Sequence, residues 1–87
     1  MDISTAKFKA KSALCDAEAK ASRALKAKTR EEYVRYFMES MNYFGQYEAF
    51  MQVIKAYSSN LYIQLLEENQ KRTTAIEKAR KSLYEIL

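Results

Sequence analysis

Few side chains in this sequence could carry out covalent chemistry. Histidine is absent and Cys15 is the single cysteine. A zinc site using His, a His general base and a Cys–His pair are therefore excluded within one chain. The Glu-x-x-His carboxylate site of four-helix bundles falls on the same ground. Glu67-Glu68 is the nearest thing to a paired carboxylate, and it reads as a solvated pair rather than a catalytic one. The expectation is a protein that is not an enzyme and needs no cofactor and no metal.

Charge offers a second kind of chemistry. The net charge is +4 and unevenly placed. Lys7, Lys9, Lys11, Lys20, Arg23, Lys26, Lys28 and Arg30 crowd the first third, against Asp2, Asp16 and Glu18. Such cations can neutralise phosphates or meet an acidic protein. Lys7, Lys11, Lys20 and Arg23 are the candidate contacts. On a helical wheel they spread around the polar side. No helix-turn-helix turn with Gly, zinc finger or basic-region zipper accompanies them. Nucleic-acid binding is thus the alternative reading rather than the leading one.

Aromatic surface offers the third. Five of the seven Tyr lie between Tyr33 and Tyr57, inside an apolar stretch that runs on to Leu66. Tyr provides large area with a polar tip and is common where apolar surface meets water or a partner. At about 100° per residue, Tyr36, Tyr43, Tyr47, Phe50, Ile54 and Tyr57 share one side of a helix. Val34, Phe37, Met38, Met41 and Phe44 lie nearly opposite. A helix apolar on two sides must be covered on two sides.

The elements that carry these groups are helical by composition. There is no Pro and one Gly, and Ala, Lys, Glu, Leu, Met, Arg and Gln abound. Asp2 or Ser4 can cap a first helix. Its apolar stripe repeats every eleven residues, as Ile3, Leu14 and Leu25, Ala6 and Ala17, Ala10 and Ala21, and Ala13 and Ala24. That period is about 3.67 residues per turn, so the stripe runs nearly straight. Thr29 and Glu32 have capping-box spacing and mark the next start. Ser58-Ser59-Asn60 marks a second break. Beyond it, Tyr62, Leu66, Asn69, Thr73, Ile76, Arg80, Leu83 and Leu87 alternate by four and three, a heptad seam with a polar middle. Thr74-Ala75-Ile76-Glu77 repeats the capping-box pattern and would, if used, add a short fourth helix. Gly45 inside the central pattern suggests close approach of another backbone in preference to a kink.

Tyr43-Phe44-Gly45 superficially resembles the Trp-x-Gly turn of the small helical-hairpin proteins exported by type VII secretion. The likeness covers three residues. The chain has no Trp, and no Tyr is followed four residues later by Asp or Glu, as the export signal requires. No family is assigned on it.

The sequence therefore predicts one all-α domain over residues 1–87. Three long helices, near 3–27, 30–57 and 60–86, form an up-down bundle. The middle helix holds more apolar surface than an Ala-rich flank and a polar-centred flank can cover. This predicts a homodimer built on Tyr36, Tyr43, Tyr47, Phe50, Ile54 and Tyr57. The function expected is that of a small non-catalytic adaptor, regulator or inhibitor that binds another protein. Without a secretory or bilayer-spanning run, and with one cysteine, a cytoplasmic location without membrane attachment is the expectation.

Overall fold

The computed structural model describes residues 1–86, and Leu87 of the heptad reading lies outside them. The chain is all-helical, with α1 over Ile3–Leu25, α2 over Arg30–Tyr57, α3 over Ser59–Asn69 and α4 over Thr74–Ile86. The first two elements match the sequence reading. The single third helix does not form, and the chain breaks at Gln70–Thr73.

Each boundary has a local cause. Asp2 Oδ1 accepts from the Thr5 amide at 2.7 Å, so Asp2 rather than Ser4 caps α1, and this bond holds its carboxyl below the usual range. Thr29 Oγ1 accepts from the Glu32 amide at 3.1 Å and opens α2. Ser58 closes one helix and opens the next. Its amide donates to Ile54 O at 2.8 Å, and its hydroxyl accepts from the Leu61 amide at 3.2 Å. At the last break, Thr73 Oγ1 donates to Gln70 O at 2.8 Å. A hydroxyl that competes for a backbone carbonyl disfavours a continuing helix. The amides of Gln70, Arg72 and Thr74 turn to carbonyls three residues back, the tighter bonding of a 3₁₀ turn.

α1 and α2 form an antiparallel hairpin, and α3 followed by α4 returns along α2. Ala6, Ala10, Ala13, Ala17, Ala21 and Ala24 are all buried with Leu14, so the small-residue stripe is the core face of α1. On α2 the inward residues are Tyr33, Phe37, Ser40, Phe44, Tyr47, Met51 and Ile54, stepping by four and three. That spacing is the seam of coiled-coil packing. Ser40, polar and fully buried, sits in its middle and donates to Ala17 O at 2.7 Å. The third element keeps Tyr62, Asn69, Ile76 and Leu83 of its predicted seam. Of its other predicted members within the described residues, Leu66 and Arg80 are exposed and give way to Leu65 and Ala79, each one residue earlier, while Thr73 is half-buried.

The two halves of the third element pack differently. α4 touches both α1 and α2, whereas α3 rests on α2 alone. The bundle is closed on three sides at the α4 end and opens between α1 and α3 at the other.

Gly45 does not serve close approach. It is exposed within an unbroken helix, and a Cβ there would meet nothing within 4 Å. Gly45→Ala should raise stability by about 1 kcal/mol through helix propensity alone. Ser40→Leu should lower it by about 1–3 kcal/mol by wedging α1 from α2. Urea midpoints at unchanged slope measure both.

Candidate interaction surface

The structure divides the six residues predicted to form one interface. Tyr47 and Ile54 are buried in the core of the single chain. Tyr36, Tyr43 and Phe50 are half-buried along the α1 edge of α2, and only Tyr57 stands clear, 72% exposed. The reason is the direction of the seam. The inward side of α2 falls between the two apolar sides read from the wheel, so α1 takes one and α3–α4 the other.

Cations shelter the half-buried rings. Lys20 Nζ and Arg35 Cζ lie 5.6 and 4.8 Å from the Tyr36 ring centre. Lys9 Nζ lies 5.9 Å from that of Phe50, and Arg80 Cζ 5.9 Å from that of Phe44. Each such pair contributes roughly 0.5–1 kcal/mol at an exposed edge. The middle helix is thus more fully covered by its own chain than its composition predicts.

The candidate basic contacts are divided as well. Lys7 and Lys11 lie on the flank of α1 that faces α3, and both are exposed. Lys20 lies on the opposite flank, 2.7 Å from Glu39, and its hydrogen bond holds the Glu39 carboxyl below the usual carboxylate range. Arg23 is exposed near the end of α1. These four cations form no single basic face.

Uncovered apolar side chains are spread over the bundle, with Phe8 on α1, Met38, Val53 and Tyr57 on α2, Ile63 and Leu66 on α3 and Tyr84 on α4, and α3 is the helix with none of its residues buried. Leu61, Tyr62, Ile63, Leu65 and Leu66 fall within eleven residues, yet none is buried. Ile63 is 52% and Leu66 42% exposed, and Phe8 of α1 is 73% exposed. A groove runs along each side of α3. One, of about 380 Å³ between α2 and α3, is lined by Phe44, Tyr47, Met51, Tyr62 and Leu66, with Glu48 and Glu67 at its lips. The other, of about 470 Å³ between α1 and α3, has Ala10, Met51, Leu61 and Leu65 for its apolar lining. Lys7, Lys11 and Arg72 edge it, with Phe8 on its rim.

Polar groups brace the walls of these grooves. Asn69 Nδ2 donates to Tyr47 Oη at 3.3 Å, which fixes α3 against α2. Arg72 Nη1 donates to Cys15 Sγ at 3.0 Å and lies 3.8 Å from Glu18 Oε1, which ties the turn after α3 to α1. Glu67 and Glu68 are both exposed, and Glu68 Oε1 accepts from Gln64 Nε2 at 3.2 Å. Among the described residues, no three of His, Cys, Asp and Glu gather where they could hold a metal ion. No helix among the described residues is long and apolar enough to cross a membrane.

Comparison with known proteins leaves the surface to be read on its own chemistry: no family model, no curated protein and no solved structure matches the chain.

Sequence reasoning passed over Ser40 and the α3 surface. Ser40 was detectable, because it continues the seven-residue spacing of Tyr33, Tyr47 and Ile54. The exposure of Ile63 and Leu66 depends on how α3 leaves Ser58, which composition does not encode.

Two expectations follow. Tyr47→Ala should cost about 3–5 kcal/mol, as for truncating a buried aromatic, whereas Tyr57→Ala should stay within about 0.5 kcal/mol. Denaturant titration of the pair separates core from surface. Burial also raises the hydroxyl pKa of Tyr33 and Tyr47 above the ordinary value. Above pH of about 10 the unfolded state ionises first and binds fewer protons, so stability falls from there upward and is intact below. Tyr33→Phe should flatten that alkaline fall when urea midpoints are followed from about pH 8 to about pH 11.

Proposed function

We propose that this chain is a small non-catalytic interaction protein that acts by binding another protein. The observation that carries the reading is α3, whose Ile63 and Leu66 are exposed while Leu61, Tyr62 and Leu65 are only partly buried against the core. Contiguous apolar surface on a small domain is characteristic of a partner site. The sites available on this surface are grooves and exposed side chains, which suit docking rather than bond-making.

Self-association belongs to the same proposal. Tyr36, Tyr43, Phe50 and Tyr57 stand seven residues apart along one edge of α2 and supply an aromatic row that a second copy could meet. Against the nucleic-acid reading stands the separation of Lys7 and Lys11 from Lys20, whose charge Glu39 already answers.

The test is affinity capture from the native cells with mass spectrometry, comparing wild type with Leu66→Asp and Ile63→Asp. Both side chains are exposed, so helix content by circular dichroism should not change. Tyr84→Asp, on exposed α4 surface, is the control. A partner held by wild type and control but lost from both α3 variants is expected. Undiminished capture by the α3 variants would remove the reading. Sedimentation at micromolar concentration tests the dimer, which a clean monomer refutes.

A further inference from the structure

We infer that the groove between α1 and α3 is the seat for an acidic amphipathic helix of a partner protein. The inference rests on the protein-binding reading above and adds the chemistry of a partner segment seated on the α1 side of α3, in a groove that neither Ile63 nor Leu66 lines. At the α4 end the bundle is closed, because α4 touches both α1 and α2. At the other end α3 keeps to α2, and α1 and α3 stand apart with Met51 between them. A helix laid there would meet Ala10, Met51, Leu61 and Leu65 and complete a four-helix arrangement. Met51 suits such a floor, because an unbranched thioether adapts to the side chain placed on it.

Charge chooses the occupant. Lys7, Lys11 and Arg72 edge this groove against Glu68, and since Arg72 also lies 3.8 Å from Glu18 Oε1 the two lysines carry the excess of positive charge. Among the described residues, neither Lys7 nor Lys11 takes part in an ion pair. The groove on the other side of α3 has the opposite lips, Glu48 and Glu67. A second copy of this chain, at net charge +4, is the poorer match to a basic rim. The lining also includes Gln64 and Asn69, polar groups that suit a peptide with one polar edge better than a bare acyl chain.

Size agrees with a short helix. α3 spans 11 residues, so the wall is about 16 Å long and accepts three helical turns. The guest presents apolar residues at i, i+4 and i+7 to the floor, the mode of helix-in-groove recognition. Its carboxylates lie on the α1 side, within reach of Lys7 and Lys11.

The probe is a synthetic 14-residue helix, roughly four turns, of Leu, Ala and Glu with its Glu on one flank. A twin carries Lys in place of Glu. Each is titrated into methyl- and amide-labelled full chain, and shifts are followed by NMR. The acidic peptide should perturb Met51, Leu61 and Leu65 and bind about tenfold tighter than its twin at low salt, a difference of about 1.4 kcal/mol. The double variant Lys7→Glu/Lys11→Glu, changed only at exposed positions, should reverse that preference. Shifts centred on Tyr36 and Tyr43, or equal binding of the two peptides, would overturn the assignment. Concentration-dependent shifts of the groove without peptide would overturn it in favour of a second copy. Decanoate binding the groove while the peptide does not would overturn it in favour of an acyl anion. If the Leu66-dependent capture stands while the peptide test fails, the interaction reading survives and the groove assignment falls. Loss of both removes both.

Discussion

The close contact between α1 and α2 is the constraint on which the rest of this structure depends. Six alanines on α1 let the two helices approach, but each buries little area, so adhesion must come from the whole length of the stripe. A run of near-identical small residues gives weak register. The bond from Ser40 to Ala17 O supplies it, because a hydroxyl slipped along the stripe would be buried without that acceptor. Tyr33 plays the matching part for the third element, since its hydroxyl donates to Ala79 O. Two polar groups set in an apolar seam thus fix how three helical elements slide against one another.

Within that frame, the division of the third element into α3 and α4 has functional weight. A single straight helix could not serve both ends of the hairpin alike. The turn at Gln70–Thr73 lets α4 settle against α1 and α2 while α3 lies off α1. The same departure exposes the side chains of α3 and parts the walls on either side of it. The surface proposed for binding is therefore a by-product of where the helix breaks, and Arg72, inside that break, is the residue that ties the two walls together.

Much of this was legible in the residues. The alanine stripe, the starts at Asp2 and Thr29 and the corner at Ser58 follow from period and capping chemistry, which are local. The central helix was harder, because large apolar residues dominate a wheel and Ser40 does not look like core. A similar bias misplaced part of the seam of the third element. Arg80 outweighs Ala79 by size, yet Ala79 is the buried one and its carbonyl accepts from the Tyr33 hydroxyl, while Leu65 and Leu66 are equal in size and nothing in their type says which turns inward. The pattern at Thr74–Glu77 correctly allowed a fourth helix, although the bond that disfavours continuation there runs from Thr73 to Gln70. Which apolar side chains stay outside was not legible, since it depends on the angle between elements rather than on any one of them.

The corner at Ser58 carries one more implication. One residue, at φ −157° and ψ 112°, is all that separates the 28-residue α2 from the 11-residue α3. Given helical dihedrals it would fuse them into a rod of about 60 Å. The chain's return on itself is thus governed by a single pair of torsions, with no slack to absorb an error. Its fidelity falls to a serine that bonds forwards through its hydroxyl and backwards through its amide.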